Sequence, residues 1–158
     1  ADRRRGHLAV AGSTMYAAKA QLLTLLQANS TLSSIQVVYG DPVEAMRREC
    51  VHLGDVTANT QTPEALASGR RRRIEDYTLD IEVFVQSKAA GQQECEQRAL
   101  VLANAVEDVL ADYPTLDDGV TGLMFVEASG MSMSTAEAGI DGPRVQVTVH
   151  VQVKARLV

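Results

Sequence analysis

Two segments of the chain alternate hydrophobic and polar residues so regularly that each predicts a long β-strand. Along segment 74–86 the apolar side chains at every second position are Tyr77, Leu79, Ile81, Val83 and Val85. The final segment, "RVQVTVHVQVKARLV", alternates valines with polar residues from Arg144 onward. This period is typical of antiparallel strands with one buried face and one solvated or interfacial face. Phe84 falls on the polar side, which indicates that something covers that end of the strand.

A helical period appears in two other segments, and both predict amphipathic helices. The first helix is expected from about Ser13 to Ala28, where apolar residues recur at positions three and four apart. The second is expected from about Gly91 to Asp112, and its apolar stripe is the clearest in the chain. Pro114 follows it and cannot continue a helix.

Shorter β-rich segments complete the pattern. Strands are predicted at 35–39, 47–56 and 122–133, the last with a bulge near Gly130. The order is then α-β-β-β-α-β-β, without regular βαβ alternation. We therefore predict an α+β fold, with an antiparallel or mixed β-sheet of about five strands and two α-helices packed on one face.

The remaining segments are expected to be irregular parts of one domain. A chain of 158 residues is long enough to form a single domain with its own core, so 1–158 is taken as one unit. Within it, residues 1–12 form a basic N-terminal tail. Residues 57–73 are polar, small and contain one proline, which predicts a long mobile loop.

The overall charge and the apolar content narrow the function classes. The formal net charge is −5, which argues against a dedicated DNA-binding domain, although a local basic patch remains compatible with it. No run approaches the ~18 apolar residues of a membrane span. The N-terminal segment lacks a continuous hydrophobic stretch of signal-peptide length, so export by the usual route is not expected.

Candidate chemistry is sparse. A zinc site can be imagined from Cys50, His52, Cys95 and His150, but no pair among them has the spacing of a known closed site. Two reduced, buried thiols are the better interpretation of the cysteines. Nucleophile-elbow and phosphate-loop motifs are absent, and "LDDG" after a helix indicates a turn. We predict no catalytic residues, no metal and no cofactor.

The stretch "GRRRRIEDYTLDIEVFVQS" contains the most charged cluster. As a nucleic-acid contact, its arginine run would neutralise phosphates at the end of a loop with the side chains of Arg70, Arg71, Arg72 and Arg73. However, no aromatic residues that could stack on bases flank the run. Read as an assembly element, the arginines would meet carboxylates of the next identical copy in a head-to-tail contact that closes into a ring. A solvated loop with no partner is the third reading. The predicted subunit-interface or channel-facing residues are Arg70, Arg71, Arg72, Arg73, Asp76, Asp80 and Glu82.

The order of elements resembles that of a known family. The chain contains, in order, a first helix, the strands "IQVVYGDP" and "ECVHLGDV", a polar loop, "DYTLDIEVFVQS", a long helix and "VQVTVHVQVKARL". This order is similar to that of tail terminator proteins of long-tailed bacteriophages, including phages of actinobacteria. The similarity covers residues 15–157 and rests on element order and pattern, without a diagnostic motif.

The resemblance implies a structural virion protein at the head–tail junction. Such a protein would form a hexameric ring that caps the tail tube, stops its polymerisation and joins it to head-completion or connector proteins. The ring would surround the channel, allow non-specific contact with DNA and have no membrane partner. It would be made and assembled in the bacterial host cytoplasm.

Three alternatives stay open at this point. Another neck component, such as a head-closure or connector protein, would have a similar small core. A nucleic-acid-binding module would use Arg70–Arg73 together with Arg3–Arg5. A small enzyme is the alternative that the missing motifs favour least.

Overall fold

The secondary structure follows the predicted order. The computed structural model describes residues 12–63, 73–136 and 139–157. Its elements are α1 (Met15–Ala28), β1 (Gln36–Val38), β2 (Glu49–Pro63), β3 (Arg73–Gln86), α2 (Gln92–Asp112), β4 (Leu123–Ala136) and β5 (Arg144–Leu157). The predicted α+β class is confirmed, as is the expected bulge near Gly130, where the pairing of β4 with β5 shifts between Ala128 and Gly130.

All five strands belong to one mixed sheet in the order β1-β2-β3-β5-β4. β1 and β2 are parallel, and every other neighbouring pair is antiparallel. Both helices lie against one face, where Leu22 and Leu26 of α1 and Leu102 and Val106 of α2 join the buried side chains of the sheet. In the described part of the chain neither helix is long and apolar enough to cross a membrane.

Strands β3 and β5 form the centre of the sheet. Every residue from Arg73 to Gln86 pairs with β5 without a shift in register. On the helix side this register aligns Leu79 with Val151 and Ile81 with Val149, all fully buried. On the other side it aligns polar residues, so the predicted alternation produces a sheet with one apolar and one polar face.

Strand β2 is longer than the sequence pattern indicated, and the predicted start of the loop at residue 57 is wrong. β2 continues to Pro63 and pairs with β3 as far as Arg73. Register shifts between Leu53 and Val56 and between Thr57 and Thr60 break the alternation that would have shown the strand. Residues 64–72, which include Arg70, Arg71 and Arg72, lie outside the described part of the chain, as does most of the basic N-terminal tail.

Phe84 is covered, as its position on the polar side of β3 predicted. It is only 5 % exposed. The connection between the parallel strands β1 and β2, residues 39–48, runs near this end of the sheet and is fixed by Gln36. The Gln36 side chain accepts the Arg47 N–H (2.7 Å) and donates to the Ala45 carbonyl (3.2 Å). The Arg144 guanidinium lies 4.6 Å from the centre of the Phe84 ring, so an aromatic ring and a cation close this corner.

Glu75 is a fully buried carboxylate that the sequence analysis did not single out. It lies at the N-terminus of α1, where its Oε2 accepts the Thr14 N–H and the Thr14 hydroxyl, both at 3.0 Å. Its Oε1 accepts the Ser13 hydroxyl and the Asn59 amide, the latter at 2.7 Å. The carboxylate thus joins α1, β2 and β3, and its negative charge suits the positive end of the helix dipole.

Opposing effects set the pKa of Glu75. Burial alone would raise it, but hydrogen bonds from Ser13, Thr14 and Asn59 hold the pKa below its ordinary value. A carboxylate whose pKa is lower in the folded protein than in the unfolded chain stabilises the fold at pH values above the unfolded pKa. This stabilisation is lost as the pH falls through the folded pKa. Glu75 therefore acts as an ionised anchor for the start of α1.

We predict that Glu75→Gln lowers the free energy of unfolding by about 2 kcal/mol at pH 7, because charge-assisted hydrogen bonds are lost and amide hydrogens face buried donors. Urea unfolding followed by circular dichroism measures this. The matched control is Glu127→Gln, a change at an exposed residue of β4. The gap between Glu75→Gln and the original protein should shrink below about pH 4.3, the ordinary pKa of glutamate. A gap that stays constant down to pH 3 would contradict the role of the charge.

Candidate functional site

The candidate site is the polar face of the sheet, on the side away from the helices, which we call the open face. Alternate residues of β3 and β5 form its centre. These are Asp76, Thr78, Asp80 and Glu82 of β3 with Gln146, Thr148, His150, Gln152 and Lys154 of β5. Their side chains are half-buried or exposed, so this face can be reached from solvent.

Three carboxylates predicted from the sequence, Asp76, Asp80 and Glu82, lie on this face, and each already has partners on β5. The His150 Nδ1–H donates to Asp80 Oδ1 at 2.8 Å. Glu82 accepts hydrogen bonds from the Thr148 hydroxyl (2.7 Å) and the Gln146 amide (2.8 Å).

The third carboxylate, that of Asp76, accepts from Gln152. A cation from another molecule would therefore join an existing network instead of neutralising isolated charges.

Arg73, the described member of the arginine run, is not on the open face. Alternation along β3 puts it on the side of Glu75 and Tyr77, opposite Asp76. It is exposed at the end of the strand, where its Nη1 lies 3.4 Å from Gln61 Oε1. The structure thus groups the three carboxylates but separates Arg73 from them, while the placement of Arg70, Arg71 and Arg72 stays a prediction.

Basic residues of β5 lie beside the carboxylates of β3, a position where the arginine run was expected. Lys154 pairs in register with Asp76, and Arg156 pairs with Ile74 one step further along the same face. The sequence analysis did not select them, although the strict alternation of β5 already put both on the polar side. The open face therefore carries both signs of charge within one chain.

A cleft of about 440 Å³ lies at the covered end of the open face, lined by residues that include Lys19, Asp41, His52, Glu82 and Arg144. Its cations are engaged: Lys19 Nζ donates to the Gly54 carbonyl at 2.9 Å and lies 4.6 Å from the Tyr39 ring centre. The guanidinium of Arg144 stacks on Phe84. Among these lining residues no nucleophilic side chain is hydrogen-bonded to a base.

The imagined zinc ligands do not come together. Within residues 12–63, 73–136 and 139–157 no group of three or more metal-binding side chains is close enough to hold an ion. Cys95 belongs to the core beneath α2, whereas Cys50 pairs with Phe84 on the opposite side of the sheet, and His150 is held by Asp80. The segment "LDDG" forms a tight turn in which Leu116, Asp117 and Asp118 all have positive φ angles, in agreement with its interpretation as a turn.

Both cysteines are free and buried. Burial, with a smaller contribution from the charge of Asp41, raises the pKa of the Cys50 thiol to about 11. The thiol is therefore protonated at neutral pH and is not a nucleophile in the folded protein.

Comparison with known proteins identifies a fold rather than a family. No protein-family model matches the chain, and no curated protein matches it. Among solved structures, the chain is similar to a chain of the virion of a native gene transfer agent particle. The two share 18 % sequence identity with a TM-score of 0.50, over 87 % of this chain and 94 % of the other. The likeness therefore extends over nearly the whole of both chains.

We predict that a thiol reagent such as dithionitrobenzoate leaves Cys50 and Cys95 unmodified in the folded protein at pH 8 and modifies both after unfolding in urea. The physical reason is their burial, together with the raised pKa of Cys50. Absorbance of the released thiolate counts the reactive groups, and the Cys50→Ala and Cys95→Ala variants assign them. Modification of the folded protein at the rate of a free thiol would show that one of the sites opens.

Proposed function

We propose that this chain is a structural virion protein and, more narrowly, a tail terminator that forms a ring on the finished tail tube. The ring stops polymerisation of the tube and joins it to head-completion or connector proteins. The observation that carries the proposal is the fold likeness to a chain of a virion particle, which extends over 87 % of this chain and 94 % of that one. The resemblance of residues 15–157 to tail terminators supports the narrower assignment.

The open face supports an assembly role over catalysis. In the described ranges, the polar groups of β3 and β5 bond to each other across the strands, and metal-binding clusters are absent. A half-buried polar face that carries both charge signs suits contact with other proteins or with the solvent of a channel. An enzyme would instead need a nucleophile or base with a perturbed environment in a cleft.

The acidic balance of the chain favours this role over a nucleic-acid-binding module. With a formal charge of −5, contact with DNA in a channel would be weak and non-specific. Such weak contact suits a channel through which DNA must pass. The remaining alternative is another neck component, and particle morphology separates it from a terminator.

We predict that particles assembled without this protein carry tubes of excessive and variable length that are not joined to heads, because polymerisation no longer stops at the correct point. Negative-stain electron microscopy of lysates from a genome with the gene interrupted measures tube length, and the intact gene supplied in trans is the control. Tubes of normal length that lack heads would favour a head-closure or connector protein instead. Normal particles would contradict any role at the junction.

We predict that replacing Arg70, Arg71, Arg72 and Arg73 by Ser leaves the chain folded but prevents it from restoring tail assembly, because the run contributes to contact between subunits. Circular dichroism checks folding, and the complementation assay above checks assembly. The matched control replaces Arg3, Arg4 and Arg5 by Ser, which removes a similar charge from the N-terminal tail. Tails of normal length from the Arg70–Arg73 variant would refute a role for the run in assembly.

A further inference from the structure

Both long edges of the sheet lack a strand partner within the described part of the chain. At one edge, β4 pairs with β5 on its inner side and with no described strand on its outer side. At the other edge, β1 pairs only with residues 50–52 of β2, so β2 has no described strand partner on its outer side from Leu53 to Pro63, although the Gly54 carbonyl accepts from Lys19. Each uncovered edge presents a row of backbone N–H and C=O groups.

These edges lack the charged residues that often prevent strand pairing between molecules, although the edge of β2 has a register shift between Thr57 and Thr60 and ends at Pro63. Natural edge strands are normally short or carry charged residues, lysine above all. β4 has fourteen residues and one charged side chain, Glu127. The outer half of β2, Val56–Pro63, has none. Both edges are therefore long, neutral and available for pairing.

The regular part of β4 defines where a partner strand would bind. From Gly130 to Ala136 the register with β5 is uninterrupted. Most side chains of this segment are exposed, and Met133 is 45 % exposed although it is apolar. On the open face the segment presents only Ser132, Ser134 and a glycine and alanine, which would not obstruct an approaching strand.

The direction of the strands decides which two edges can join. β2 is antiparallel to β3, β3 to β5, and β5 to β4, so β2 and β4 run in opposite directions at opposite edges. A rotation about an axis along the strands keeps these directions, so it brings β4 of one copy antiparallel to β2 of the next. Such a contact uses two different surfaces of each chain, and it closes into a ring when the rotation from one copy to the next divides a full turn evenly.

We propose that Gly130–Ala136 of one copy pairs with Val56–Pro63 of the next and that this strand pairing is the contact which builds the ring. The inference rests on the proposed ring, and it names the occupant of each edge as a second copy of this chain. The open faces of successive copies then form one continuous polar surface. Backbone hydrogen bonds between neutral strands supply the contact, and small hydroxyl side chains from both strands lie along the seam.

The test blocks each edge separately with a lysine. Ser134→Lys changes an exposed residue of β4, and Thr62→Lys changes an exposed residue of β2. Asn104→Lys, on the exposed side of α2, is the control with the same added charge. Native mass spectrometry of the purified proteins gives the assembly state, and thermal unfolding by circular dichroism checks that each variant is folded.

The expected result is a closed ring for the original protein and for Asn104→Lys, and monomers for Ser134→Lys and Thr62→Lys. A mixture of the last two should form a one-to-one dimer that does not grow, because one copy keeps an intact β4 and the other an intact β2. That dimer also shows that both variants are folded. It distinguishes the head-to-tail contact from a symmetric pairing of two β4 strands.

Several results would overturn the inference. Rings formed by both blocked variants would place the contact elsewhere. A closed dimer of Thr62→Lys would mean that β4 pairs with itself, and a ring of Thr62→Lys would mean that the contact does not use the outer edge of β2. An original protein that stays monomeric at its solubility limit would exclude pairing between copies. In each case the proposed virion role is tested independently by the length of tails assembled without the protein.

Discussion

The uninterrupted pairing of β3 with β5 is the constraint on which the rest of the structure depends. Because every residue from Arg73 to Gln86 has a partner on β5, the alternation of both strands adds up on the same two faces. A shift of one residue would put the two strands out of agreement, so that either the valines of β5 would face solvent or the carboxylates of β3 would enter the core. The helices can cover only one of these faces, so the open face exists as a consequence of the register.

Glu75 and Phe84 are two buried departures from this alternation, and both fix neighbouring segments. Glu75 is an acid on the apolar face, where Ser13, Thr14 and Asn59 satisfy it and set the position of α1. Phe84 is an aromatic residue on the polar face, and it is buried at the end where the β1–β2 connection passes. Each breaks the pattern at a point where one further segment is attached to the sheet.

The elements that were predicted from the sequence are those in which side-chain periodicity and burial agree, namely β3, β5 and α2. The outer half of β2 was missed because "TANTQTP" pairs with β3 through its backbone, has a register shift between Thr57 and Thr60 and has no apolar face. The carboxylates of the candidate site were predicted, since β3 displays them at every second position. Their partners on β5 were not, because cross-strand contacts depend on a register that one sequence does not reveal. The buried state of Glu75 depends on the same long-range pairing.

We propose that this chain forms a ring at the junction of head and tail in a virus-like particle. An electron cryo-microscopy map of intact particles, with the chain located in it, would test this proposal. We expect a closed ring of copies between the tail tube and the head connector, with successive sheets joined edge to edge. Copies located anywhere else in the particle, or purified particles that do not contain the chain, would contradict it.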